Sequence, residues 1–102
     1  MSATAAGPAF DAVIHAPNRL QLCAMLAPVS DVDFAVLREG LGVSDSVLSK
    51  HLKVLEEAGY VELTKRPLAS KVRTRARLTP AGRAAFAAHV AELQRVIAAA
   101  QV

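Results

Sequence analysis

A change of hydrophobic periodicity at Gly59 restricts what this chain can fold into. From Ser44 to Ala58 the apolar residues recur at helical spacing, and Gly59 is a typical left-handed helix stop. Residues 60–65 and 71–78 then alternate as strands do, and the five residues between them include a proline. The sequence therefore predicts a helix followed by a β-hairpin with a basic, proline-containing tip.

Further helices are expected on both sides of this unit. Thr79-Pro80 offers a cap and a first-turn proline for a last helix over about 80–101. Upstream, Pro17 suits the start of a helix that Pro28 ends, and Asp31 or Asp33 can cap the next one.

The remaining N-terminal segments are less regular. Residues 10–15 suggest a short helical piece, and residues 29–30 suffice only for an edge strand. Residues 1–9 are small and aperiodic, which predicts a flexible tail before a single domain over 10–102. The expected fold class is mainly α with a small β-hairpin.

The positive charge of the chain is concentrated in one segment. The 102 residues carry a formal net charge of +3, but residues 49–83 hold nine Lys and Arg against three Glu. The rest of the chain holds three basic and six acidic residues. Such a segment favours an acidic partner such as nucleic acid, although a solvated surface is an alternative that geometry must decide.

The helix after Ser44 presents two different faces. Its apolar arc comprises Val47, Leu48, His51, Leu52, Val54, Leu55 and Ala58. The opposite face carries a stripe of short hydroxyls and cations at helical spacing: Ser46, Ser49, Lys50 and Lys53. Hydroxyls and lysines can reach base edges and phosphates in a DNA major groove, whereas an ordinary solvated helix has a similar composition.

The second strand of the hairpin places four cations on one face, because strand side chains alternate: Lys71, Arg73, Arg75 and Arg77. Like charges in a row repel one another unless an anion lies along them. We interpret the strand as following a phosphate backbone, with a solubilising edge strand as the alternative.

The last helix carries a heptad-like apolar seam with spacings of four and three residues: Phe86, Val90, Leu93, Ile97 and Ala100. A helix of about 20 residues is about 30 Å long, which a small domain cannot cover entirely. Part of the seam covers the chain's own core, and we predict that the rest forms a homodimer.

Taken together, these motifs resemble the winged-helix transcription regulators, in particular the short MarR/ArsR-like group. The resemblance covers residues 10–97 and is carried by Leu41-Gly42-Val43-Ser44, Leu48-Ser49-Lys50-His51-Leu52, Leu55-Glu56-Glu57-Ala58-Gly59-Tyr60-Val61 and Arg77-Leu78-Thr79-Pro80-Ala81-Gly82-Arg83. It implies a recognition helix over 44–53, a wing over 66–75, and a two-fold dimer built from the first and last helices.

The resemblance turns the basic residues into a site prediction. A sequence-specific regulator of this type would bind an inverted repeat in double-stranded DNA. The expected DNA contacts are Ser44, Ser46, Ser49, Lys50, Lys53, Arg66, Lys71, Arg73 and Arg75, and the expected dimer contacts are Phe86, Val90, Leu93 and Ile97. The alternative is a winged helix that binds proteins and not DNA.

Other kinds of site find little support in the sequence. The single cysteine, Cys23, lies among apolar residues and is expected to be inert, with a redox role as a weaker option. The three histidines are far apart, and His51 is expected to be packed and hydrogen-bonded. We predict no enzyme, no metal and no cofactor, and leave an effector ligand open. The chain has no signal-peptide or membrane-span pattern, so we expect a cytoplasmic protein.

Overall fold

The computed structural model describes residues 10–69 and 71–101, and the predicted tail over 1–9 lies outside them. It contains four helices and a three-stranded antiparallel sheet within those residues. In chain order the elements are α1 (Arg19–Leu26), β1 (Val32–Asp33), α2 (Phe34–Leu41), α3 (Asp45–Glu57), β2 (Val61–Leu68), β3 (Lys71–Leu78) and α4 (Pro80–Ala100). This is the predicted winged-helix order.

Three helices begin at the caps that the sequence predicts. The Asp33 carboxylate accepts the Ala35 N–H at 3.0 Å, the Ser44 hydroxyl accepts the Val47 N–H at 3.2 Å, and the Thr79 hydroxyl accepts the Gly82 N–H at 2.9 Å. Each bond satisfies a backbone donor that has no partner inside its helix. The starts of α2, α3 and α4 are therefore fixed by local chemistry.

Gly59 ends α3 in the way its position predicts. Its φ is +82°, and the following Tyr60 N–H reaches back to the Leu55 carbonyl at 2.9 Å. A residue with a side chain is strained at this φ, so glycine allows the sharp turn from α3 into β2.

The N-terminal segment differs from the expected short helix. Residues 12–15 form a hydrogen-bonded turn, in which the His15 N–H donates to the Asp11 carbonyl at 2.8 Å. The Asp11 carboxylate also accepts the N–H groups of Val13 and Ile14 at 2.9 and 3.3 Å. The predicted start at Pro17 is also wrong. Helix α1 begins at Arg19, after Asn18 at a φ of +70°.

The sheet has the order β1-β3-β2, so the basic strand β3 is central. β2 pairs with β3 from Val61↔Leu78 to Leu68↔Lys71, so only two residues separate the paired strands instead of the expected five. The edge strand expected at residues 29–30 forms at Val32–Asp33 and pairs with Ala76 and Arg75. Continuous pairing therefore extends the hairpin almost to its turn.

The core lies between the helices and the base of the sheet. Its fully buried apolar side chains are Ile14, Leu22, Cys23, Leu26, Leu37, Leu48, Leu52, Leu55, Val61, Ala76 and Leu78. Helix α3 contributes only its three leucines, so the predicted apolar arc is too wide. Val47 and Val54 are 37% and 36% exposed, and Ala58 is exposed as well.

Candidate nucleic-acid interface

The outer face of α3 carries the predicted stripe into solvent. Ser46, Ser49, Lys50 and Lys53 are all exposed, opposite the three buried leucines. Lys53 lies 3.7 Å from the Glu57 carboxylate, but both side chains are largely exposed, so this pair contributes little stability. Lys50 has no carboxylate partner within the residues that the structure describes.

The start of α3 is held by polar contacts. The Ser44 hydroxyl serves as the cap, and its oxygen lies 3.3 Å from that of Ser46. Arg38 of α2 donates to the Asp45 carboxylate at 2.9 Å, a hydrogen bond that raises the pKa of the guanidinium. The first turn of α3 is therefore anchored to α2 while its outer side chains remain accessible.

Carboxylates of the same chain pair with three arginines of β3. Arg73 donates to Asp33 at 2.7 Å, Arg75 reaches Asp31 at 2.5 Å, and Arg77 reaches Glu62 at 2.5 Å. The Asp33 pKa is lowered, first by the Ala35 N–H and then by Arg73. Three of the four cations in the row are thus neutralised by carboxylates of the same chain, which the sequence analysis did not predict.

Unpaired cations lie further along the wing. Lys65, Arg66 and Lys71 are exposed, and no carboxylate of the described ranges pairs with them. A groove of about 460 Å³ lies between the wing and the first turns of α2 and α3. Its polar lining includes Ser49, Lys71 and Arg73. The geometry thus brings Ser49 of the α3 stripe to the same groove as Lys71 and Arg73 of the wing.

The predicted seam of α4 divides into two parts. Phe86 is half-buried and packs against the core of its own chain, whereas Ile97 is 55% exposed and neighbouring Val96 is 41% exposed. Val90 and Leu93 between them are half-buried. The 21 residues of α4 span about 31 Å, and residues 94–100 at its C-terminal end are all exposed beyond the core.

Two histidines that are distant in sequence meet between the N-terminal segment and α4. His15 Nδ1 lies 2.9 Å from Nε2 of the buried His89, whose Nδ1 accepts the Asp11 N–H at 3.1 Å. The Tyr60 hydroxyl donates to the Asp11 carboxylate. Burial, and then the proximity of His15, lower the pKa of His89. The separation of 74 residues left no signal in the sequence.

His51 and Cys23 have the structural roles that the sequence predicts. His51 is half-buried, with Nδ1 3.3 Å from an Arg19 nitrogen, and burial followed by Arg19 lowers its pKa. Cys23 is fully buried, and its burial, with a smaller effect of Asp11, raises the thiol pKa to about 11. A thiol in this state is a poor nucleophile.

The described residues form neither a metal site nor a membrane-spanning helix. Over 10–69 and 71–101, no group of three or more His, Cys, Asp and Glu residues is placed to hold a metal ion. None of the helices in those ranges combines the length and the apolar character needed to cross a membrane.

Comparisons with known proteins agree with this geometry. A family model described as a winged helix DNA-binding domain matches residues 18–97. An uncharacterized protein of Methanocaldococcus jannaschii is 36% identical over 81 residues, which cover 79% of this chain and 88% of that protein. The match therefore spans most of both chains.

Solved structures share the fold. A transcriptional regulator homologue from Pyrococcus horikoshii superposes with a TM-score of 0.81 at 26% identity, covering 88% of this chain and 89% of that one. A structure from Enterococcus faecalis, titled as a regulator of the MarR family, has a TM-score of 0.76 at 24% identity. It covers 87% of this chain and 80% of its own.

Proposed function

Since the chain belongs to the winged helix DNA-binding domain family of transcriptional regulators, we propose that it acts as a homodimer on an inverted-repeat operator. The observation that carries this proposal is the exposed Ser and Lys face of α3 beside a wing with unpaired cations. We place the protein in the cytoplasm, together with the DNA it regulates.

In this proposal the first half of α3 enters the major groove. Lys50 reads a base edge, a role that suits an unpaired, exposed ammonium group, and Ser46 and Ser49 offer short hydroxyls to bases or adjacent phosphates. Lys53, further along α3, contacts the phosphate backbone of the DNA. The Ser44 hydroxyl oxygen is occupied by its cap, so Ser44 contributes its hydroxyl proton to a phosphate.

The wing contacts the phosphate backbone through two kinds of cation. Arg66 and Lys71 are exposed without a carboxylate partner in the described part of the chain, so they can bind phosphate directly. Arg73 and Arg75 must first leave Asp33 and Asp31, so their contacts with phosphate are partly offset by lost ion pairs. We therefore propose Arg66 and Lys71 as the main wing contacts.

The dimer proposal rests on the C-terminal half of α4. Ile97 is exposed there, with Val90 and Leu93 half-buried on the same seam, whereas Phe86 mainly covers the core. Ile97→Glu should place a charge in the dimer interface and shift sedimentation from dimer to monomer at micromolar concentration. Exposed Ala98→Glu, about 100° around the helix from Ile97, is the control, and a wild-type monomer would refute the dimer.

Fluorescence anisotropy on DNA duplexes tests the whole proposal. Random and inverted-repeat pools are titrated at low and physiological salt, and the retained sequences give the operator. Lys50→Ala should change sequence preference, costing about 1–3 kcal/mol at the base pair it reads. Arg66→Ala should weaken all duplexes similarly and reduce the salt slope by about 0.9.

Two outcomes would contradict the proposal. Identical behaviour of the two variants would refute the division between base and phosphate contacts. No duplex binding even at low salt would refute DNA binding and favour a winged helix that binds an acidic protein surface.

A further inference from the structure

An exposed apolar edge accompanies the basic stripe of α3. Val47 and Val54 are seven residues apart and 37% and 36% exposed, although the three leucines of the same helix are buried. More than a third of each valine stays in solvent, and valine has a low helix propensity that would not favour it at such a position. The edge is therefore available to a partner.

The two valines flank the lysine that we assign to base contact. Val47 precedes Lys50 by three residues and Val54 follows it by four, which are the spacings of neighbouring side chains on a helix surface. At about 100° per residue, Val47 lies about 60° and Val54 about 40° from Lys50 around the helix. Whatever base edge Lys50 meets, an isopropyl group lies beside it.

The major groove presents one apolar group to such a side chain. This is the 5-methyl of thymine, since the other base-edge groups there are hydrogen-bond donors and acceptors. Val47 lies in the first turn of α3, and the N-terminal residues of a recognition helix approach the bases. We propose that Val47 is a specificity-determining residue that contacts a thymine methyl beside the base pair read by Lys50, an inference that rests on the proposed function.

Replacing thymine by deoxyuridine tests this contact, because the exchange removes the methyl and leaves base pairing unchanged. Each thymine of the selected operator is replaced in turn. Loss of one buried methyl should weaken wild-type binding about fourfold at one position of each half-site. Val47→Ala should bind the thymine duplex several-fold more weakly and show no further loss with deoxyuridine.

Val36→Ala is the matched control, since Val36 is also an exposed helical valine, at 54%, but belongs to α2. Its affinity should still fall about fourfold when the thymine is replaced by deoxyuridine, as for the wild type. If tight duplex binding has no deoxyuridine-sensitive position, or if Val47→Ala shows the same penalty as wild type, the contact is refuted while DNA binding stands. Absence of any duplex binding would overturn the proposed function, and this contact with it.

Discussion

Gly82→Ala should destabilise the junction between the wing and α4. A Cβ at Gly82 would lie 2.1 Å from the Tyr60 carbonyl oxygen and 2.9 Å from its carbon, closer than folded proteins allow. The Tyr60 carbonyl also accepts the Thr79 N–H at 3.0 Å, so it cannot move away without weakening that bond. The first turn of α4 must therefore shift by about 1 Å, the size of the overlap.

The cost follows from three terms of known size. Forcing a group into a filled space costs about 1–3 kcal/mol, and a weakened backbone hydrogen bond costs about 1 kcal/mol. The higher helix propensity of alanine offsets up to about 1 kcal/mol of this loss of stability. The net loss is about 1–3 kcal/mol, and each kcal/mol lowers the Tm of a domain this size by about 4–8 °C.

Gly40→Ala is the matched control for this prediction. Gly40 also lies within a helix, but its new Cβ would meet only the end of the flexible Met25 side chain, at 2.5 Å. That side chain can rotate away, so Gly40→Ala should leave stability unchanged or raise it by up to about 1 kcal/mol. Both variants are compared with wild type by thermal unfolding followed by circular dichroism. Equal midpoints for the two variants would refute the steric argument.

Three other predictions follow from the ion pairs and the buried groups. Asp33→Asn keeps a capping oxygen but releases Arg73, so duplex affinity should rise a few-fold and the salt slope should steepen; unchanged affinity in anisotropy would count against internal competition for Arg73. Because the His89 pKa is lowered in the folded state, the unfolded chain binds the proton first. The free energy of unfolding should therefore be highest above about pH 6.5 and decrease as the pH falls below that value. This decrease should be less steep in His89→Gln, and urea unfolding at a series of pH values measures it. Buried Cys23 should resist iodoacetamide in the native protein and react in urea, and rapid native labelling would contradict its burial.

Elements set by neighbouring residues could be predicted from the sequence. Ser44 and Thr79 cap their helices through bonds that span three residues, and Gly59 ends α3 by its own φ. The corresponding chemistry depends only on local spacing. The helix-hairpin-helix order was therefore predictable without tertiary information.

Contacts between distant segments could not be predicted in the same way. Arg75 meets Asp31 across 44 residues, and His15 meets His89 across 74 residues. The width of the buried arc on α3 likewise depends on which elements cover it. The apolar arc predicted for α3 included Val47, although at about 100° per residue Val47 lies at the edge of that arc, about 60° from Lys50. The structure leaves it 37% exposed.

The composition of the hairpin also affects how copies of the protein meet in the absence of DNA. β2 is an edge strand of the sheet, and an open edge is a template for strand addition and aggregation. Its distal half carries Lys65, Arg66 and Pro67, and the proline has no N–H to donate to an incoming strand. The cations proposed to bind phosphate therefore also repel a second hairpin, which should keep the protein soluble at high concentration.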